Sequence, residues 1–235
     1  MKYTSKAISL TYIRQGDSSI ISKVFTKEKG LQTFFVKSVR SKGSKRKLAY
    51  FEPLKLLNVE ADFNAKKSLQ YLREISISKN FENTPNKIYK NFIGFFIAEV
   101  SARVLQENEA NNSLFDFLWG VAINLYDYEK TDSNFSLKYL LGLTKMLGFY
   151  PSSDEIQKPF FNLETGGFSN NQAASQNMLN AEKSTYLKAL LSNRKTNIPK
   201  NKKSELLKDI MCYYKLHHYN LDGVKSHLIV ERLRI

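Results

Sequence analysis

Cysteine is almost absent from this sequence: Cys212 is the only one in 235 residues. A lone thiol excludes an internal disulfide framework and any zinc site built on cysteines, and it suits a reducing compartment. No run approaches the ~18 consecutive apolar residues that a membrane span needs. The opening MKYTSKAISLTYIRQ lacks the long apolar core of a secretion signal. The expectation is a cytoplasmic protein that does not meet a membrane. Catalytic signatures are missing as well: there is no GxxxxGK[ST] phosphate loop, no HExxH, no GxSxG and no Cys/His nucleophile arrangement. Gly166-Gly167 is too short to cradle a phosphate, and Asp154-Glu155, adjacent and without further acids, makes a poor two-metal site. A binding protein without cofactor is expected, not an enzyme.

One stretch lacks acid altogether. From Lys37 to Lys47 the chain carries Lys37, Arg40, Lys42, Lys45, Arg46 and Lys47 and no Asp or Glu. The asymmetry extends further: residues 1–80 hold 17 Lys or Arg against 6 Asp or Glu, whereas residues 81–235 hold 19 against 16. Most of the net charge of +14 therefore resides in the first third. Clustered like charges repel unless a partner compensates them, so this segment is expected to meet a polyanion. A solvated basic face and an anionic membrane surface are the weaker readings.

The same third has the patterning of compact β structure. AISLTYI alternates Ile8, Leu10 and Tyr12 against Ser9 and Thr11; SIISKVFT comes after the turn-prone RQGDS, and KEKG leads into LQTFFVKSV. After the basic loop come PLKLLNVE and SLQYLREISI. Five short strands in about 80 residues fit the small OB-fold barrel. In such barrels Lys and Arg track phosphates while exposed aromatics stack on bases, and Tyr12, Phe35, Tyr50 and Phe51 lie on or beside these strands.

Beyond residue 80 the period becomes helical. Thr84-Pro85 reads as N-cap and first helical position before Ile88, Phe92, Phe95, Phe96 and Val100. SLFDFLWGVAINLYDY opens with Ser113 and Asp116 at capping-box spacing. NFSLKYLLGLTKMLG ends at Gly148, with Pro151 beyond it. Further helices are expected over about 172–192 and 202–219, and a short one after Gly223. The fold class expected is α+β: an OB-fold barrel over residues 1–80 followed by an all-α domain over 81–235.

SLTYIRQGDSSIISKVFTKEKG, the basic loop leading to FEPL, SLFDFLWGVAINL, NFSLKYLLGLTKMLGFYP and VKSHLIVERL occur in order along nearly the whole chain. In that order and spacing they resemble the RecO family of bacterial recombination mediators. The resemblance implies an OB domain and a helical domain that bind single- and double-stranded DNA and anneal complementary strands. It also implies three partners: RecR, the acidic C-terminal tail of the single-strand-binding protein SSB, and, indirectly, RecA, which replaces SSB on DNA. It further implies a nucleoid-associated place in the cytoplasm. An OB protein that binds RNA remains the alternative, because backbone and stacking contacts are shared by both nucleic acids.

On this reading Lys37, Arg40, Lys42, Lys45, Arg46 and Lys47 neutralise phosphates, with Arg14, Lys66 and Lys67 extending the track. A second acid-free cluster, Arg194, Lys195, Lys200, Lys202 and Lys203, reads as a solvated loop or an auxiliary DNA contact. For the SSB tail the resemblance points to Lys138, with Lys145 at i+7 on the same helical face. The chain departs from the family twice. Many members carry four zinc-binding cysteines after a GFYP-like stretch; here GFYPSSDEIQKPFFNLETGGFSNN has none, and His217, His218 and His227 do not supply a tetrahedral set. Ser38 stands where the family usually has glycine, and serine tolerates fewer backbone conformations.

Overall fold

The computed structural model describes residues 1–39, 48–81, 87–129 and 131–232. The chain forms two compact units, Met1–Thr131 and Asp132–Ile235. The first is built on five strands: β1 (Lys2–Gln15), β2 (Ser19–Thr26), β3 (Gly30–Val36), β4 (Leu56–Asp62) and β5 (Gln70–Lys79). They close into a barrel in the order β1-β2-β3-β5-β4. β1 is long because two neighbours share it: its Lys2–Ile8 half pairs with β4 and its Ala7–Gln15 half with β2, with a register irregularity between Ser9 and Thr11, just past its last pair with β4. Closure comes from a short parallel pairing of β3 with β5, Phe34 to Gln70 and Phe35 to Tyr71.

Strand alternation explains the core. Tyr3, Ala7, Ile20, Val24, Phe34, Val36, Leu57, Val59, Ala61 and Leu72 point inward, and Phe51, from a 3₁₀ turn at Leu48–Phe51, joins them fully buried. The opposite parity of β1–β3 is also apolar at one end of the barrel, where Ile8, Phe25 and Leu31 are buried. Two helices of this unit, α1 (Lys87–Val104) and α2 (Asn112–Asp127), account for that second apolar face: α1 packs on β1, and Phe115 of α2 lies 5.6 Å from Phe25. The helix start expected at Thr84-Pro85 falls outside the described residues. The start of α2 differs from expectation. Asn111, not Ser113, is the N-cap, its side chain accepting from the Leu114 amide at 2.9 Å. Asparagine offers the same short acceptor two residues earlier.

The second unit contains α3 (Phe135–Met146), α4 (Ala181–Leu191), α5 (Lys200–Leu216) and α6 (His227–Arg232). It also contains a small sheet that the all-α expectation missed, β6 (Phe160–Asn162), β7 (Gly167–Ser169) and β8 (Met178–Leu179), ordered β7-β6-β8. Strands of two or three residues are too short to show a period. The helix expected from 172 accordingly starts only at Ala181, behind a 3₁₀ turn and β8. Gly148 does end α3 as expected, with φ +86. Around it Phe149 packs against Tyr213, Tyr214, His217 and Tyr219, and the hydroxyls of Tyr213 and Tyr214 donate to the carbonyls of Phe149 and Leu140 at 2.6 and 2.7 Å. Burial pushes the Tyr213 phenol up to about 12 and holds His217 below its ordinary value. Among the described residues no helix is long and apolar enough to cross a membrane.

Candidate nucleic-acid interface

The register of the barrel assembles a face that sequence reading did not foresee. Ile13 pairs with Ile21, Ile21 with Phe35 and Phe35 with Tyr71, so four apolar side chains form one row across β1, β2, β3 and β5. Directly paired residues have Cβ atoms about 4.5–5.5 Å apart, close enough to make a continuous surface. The core takes the opposite parity of these strands, which leaves this row outside the barrel. Ile13 is 62% and Tyr71 51% exposed, with Ile21 and Phe35 partly exposed between them. A row of this kind, exposed at Ile13 and at the broad ring of Tyr71, suits flat apolar ligands such as bases.

Cations surround the row. One step along the strands, Lys23 pairs with both Thr11 and Thr33 on the same face. On the other side, by alternation, lie Lys37 beyond the end of β3 and Arg73 of β5. Arg73 Nε donates to Asp62 Oδ2 at 2.7 Å; that hydrogen bond holds the Asp62 carboxyl below its ordinary value and the guanidinium above its own. Lys67 places its Nζ 5.9 Å from the Tyr71 ring centre. The turn that carries it is stiffened by Gln70, which is 3% exposed, accepts from the Asn64 amide at 2.8 Å and donates to the carbonyls of Asn64 and Lys67 at 3.0 and 2.6 Å.

Of the residues expected to track phosphates, Lys37 and Lys67 are brought to this face. Lys66 is exposed in the same turn, its amide donating to Asn64 Oδ1 at 3.0 Å. Arg14 is exposed near the end of the β1–β2 hairpin, on the strand parity opposite to Ile13. Arg40, Lys42, Lys45, Arg46 and Lys47 lie outside the described residues. Of the four aromatics, Phe51 is core, Tyr12 and Tyr50 pack against the core, and Phe35 is on the outer row. Ile13, Ile21, Lys23, Tyr71 and Arg73 were missed. An apolar residue at a wet parity was the available signal, and it becomes readable only once the register is known.

In the second unit Lys138 is partly buried and engaged. Its Nζ lies 2.8 Å from Asp132 Oδ2 and donates to Asn193 Oδ1 at 3.1 Å. Burial alone would raise the Asp132 carboxyl; the hydrogen bonds from Lys138 and the Asn134 amide outweigh it and hold the group below its ordinary value. Lys145, in the last turn of α3, is exposed. In the second basic cluster, Lys202 pairs with Glu182 and Glu205, and Lys203 donates to the Ser133 carbonyl at 2.9 Å, its ammonium lowered by desolvation.

In the stretch after Pro151, for which the resemblance raised a zinc site, the residues present do not suit the metal. Asn162 Oδ1 accepts from the amides of Glu164 and Thr165 at 2.8 and 3.3 Å, and Asn177 Nδ2 donates to Glu164 Oε1 at 2.8 Å. Among the described residues no three His, Cys, Asp or Glu converge on one point. A neutral amide that accepts from backbone and another that donates to a carboxylate make a crosslink of a different kind from thiolate ligation.

A closed five-stranded barrel in one unit and a mainly helical second unit define a class: an OB-fold protein with a helical second domain. Comparison with known sequences narrows it. The family profile described as Recombination protein O N terminal matches residues 1–81, and that described as Recombination protein O C terminal matches residues 85–226. The DNA repair protein RecO of Flavobacterium psychrophilum is 34% identical over 239 residues, covering 100% of this chain and 98% of its own. Its counterpart in Flavobacterium johnsoniae is 34% identical over 231 residues, 96% of this chain and 95% of its own, and that of Bacteroides fragilis is 28% identical over 96% of each. The chain belongs to the RecO family of DNA repair proteins.

Proposed function

We propose that this chain is a DNA-binding recombination mediator that takes single- and double-stranded DNA on the outer face of its barrel and anneals complementary strands. With RecR it helps RecA replace SSB on single-stranded DNA in the bacterial cytoplasm, without chemical turnover of its own. The observation that carries the reading is the row Ile13–Ile21–Phe35–Tyr71 flanked by Lys23, Lys37, Lys67 and Arg73. Bases rest on the row and phosphates follow the cations; the Lys and Arg of the acid-free stretch from Lys37 to Lys47 act as further phosphate partners. Nothing in this arrangement reads a base sequence, so binding is general. Two strands held on one cationic surface repel each other less, which is sufficient to speed annealing. The SSB tail, acidic with an apolar end, docks on α3 beside Lys138 and Lys145. The DNA-binding role falls to the barrel of residues 1–80 and the partner-binding role to the helical residues 81–235, of which α1 and α2 share the barrel's compact unit.

A salt titration with labelled DNA and RNA oligonucleotides of one sequence tests this. With about six phosphates engaged, log K falls against log salt with a slope of about −4 to −5. Tyr71→Ala weakens binding by about 1–3 kcal/mol and leaves the slope unchanged, because stacking is lost and no counterion contact is. Salt-independent binding, or full affinity in Tyr71→Ala together with Phe35→Ala, overturns the assignment of this face. Marked preference for the RNA strand overturns the DNA reading.

A further inference from the structure

The lower edge of the cationic face is already occupied by a side chain of the protein. The loop between α1 and α2 reads Gln106-Glu107-Asn108-Glu109, and it is fastened to β3 through backbone and side chain alike. Glu107 forms a parallel bridge with Leu31, the Asn108 amide donates to the Leu31 carbonyl at 3.1 Å, and Gln32 Nε2 donates to Asn108 Oδ1 at 3.0 Å. Asn108 adopts φ 62, a left-handed turn that lets the loop follow the strand. Gly30 completes the fit, because a β-carbon there would meet the Glu109 backbone. So fastened, the loop presents the Glu107 carboxylate to the face: Oε1 accepts from Thr33 Oγ1 at 3.2 Å and stands 4.0 Å from Lys23 Nζ.

A carboxylate fixed by a hydroxyl and a lysine on a sheet surface matches the charge and acceptor geometry of a phosphate oxygen pair. Lys23 and Thr33 are in direct register one step below the apolar row, so they are the next donors a nucleic-acid backbone would reach. The pair is exposed on both sides, Lys23 at 40% and Glu107 at 48%, and its charges are at the outer limit of contact. Such a pair is weak and easily displaced. We propose that Glu107 is a built-in phosphate mimic: it engages Lys23 and Thr33 when the face is empty, competes with the backbone of single-stranded nucleic acid there, and so sets the lower limit of the footprint. The effect is a weakened grip at one end, which suits a protein that must release strands after pairing them.

This rests on the barrel face binding nucleic acid, and the test separates the two claims. Oligo(dT) affinity is measured against salt for the wild type, Glu107→Gln, Lys23→Met, the double variant and Glu109→Gln. Glutamine can still accept from Thr33, and matching melting temperatures confirm intact folds. Glu107→Gln is expected to bind about two- to five-fold tighter at low salt and to steepen the salt slope by about 0.7, one added phosphate contact. The gain disappears in the Lys23→Met background, and Glu109→Gln, whose side chain contacts neither Lys23 nor Thr33 among the described residues, behaves as the wild type. A gain that persists without Lys23, or that Glu109→Gln reproduces, is a general field effect and overturns the mimic. Unchanged affinity in Glu107→Gln overturns it too. A wild type that shows no salt-dependent binding removes the nucleic-acid face itself, and the mimic with it.

Discussion

Gly30 and Glu109 stand so close that a β-carbon on Gly30 would fall 2.0 Å from the Glu109 carbonyl oxygen. The contact joins the β2–β3 turn to the α1–α2 loop, and Gly30 also sits at φ +67, where any side chain is strained. Gly30→Ala therefore incurs two separate penalties, since backbone cannot move aside as a flexible side chain can. A destabilisation above about 2 kcal/mol in urea unfolding is expected. A loss below about 0.5 kcal/mol, the level of a neutral surface change, would show that the loop is free to lift from the strand.

Ser38 presents the opposite case. It is exposed and holds φ 58 two residues past the end of β3, so a residue with a β-carbon occupies backbone space that suits glycine. The left-handed region costs a non-glycine residue about 1–2 kcal/mol, and the extra chain entropy of glycine in the unfolded state returns part of that. Ser38→Gly is expected to stabilise the protein by about 0.5–1 kcal/mol, read as a higher urea midpoint at unchanged m-value. Any destabilisation would mean that the serine hydroxyl contributes more than the strain costs.

The Lys138–Asp132 pair should show itself through pH. The Asp132 carboxyl is held below its ordinary value in the folded protein, so the pair contributes stability above the unfolded-state value, about 3.9. The contribution fades as pH falls through the lower, folded-state value. Lys138→Gln is expected to lower Tm at neutral pH by no more than about 4 °C, because both groups are partly exposed. The gap to the wild type closes as pH falls below about 4. A gap that stays constant with pH would assign the effect of Lys138 to its contact with Asn193 instead.

That engagement also decides how the SSB-tail proposal is best tested. Charge reversal at Lys138 would place a second carboxylate beside Asp132 and disturb the start of α3, whereas Lys145 is exposed and can be reversed without repacking. Lys145→Glu is expected to weaken binding of an SSB C-terminal peptide by about two- to five-fold, the size of an exposed ion pair, and to leave DNA affinity intact. Wild-type peptide affinity in both Lys145→Glu and Lys138→Gln would place the tail away from α3.

The barrel was legible because its strands alternate and its turns carry Gly, Asp and Lys; the parity of Ile20, Val24, Phe34 and Val36 marks the core directly. The face was not. Phe35 reads as one more core aromatic until register sets it beside Ile21 and Tyr71, residues 14 and 36 positions away in sequence. Parallel pairing of β3 with β5 leaves no local signature. Glu107 was invisible for the same reason: it lies 84 residues beyond Lys23. In the second unit, strands of two and three residues have no period to read, and Asn162 and Asn177 suggest only turns until their hydrogen bonds are seen.

The barrel's closure is also its seam. β3 and β5 hold each other by two register pairs, while every other junction of the barrel is longer. Phe35 and Tyr71 sit astride that seam, so a strand of nucleic acid resting on both rings would act as a strap across the join least able to hold itself. Occupancy would then be felt as mechanical reinforcement: the amides of β3 and β5 would exchange their hydrogens more slowly, and the barrel would resist opening where it is otherwise easiest to part.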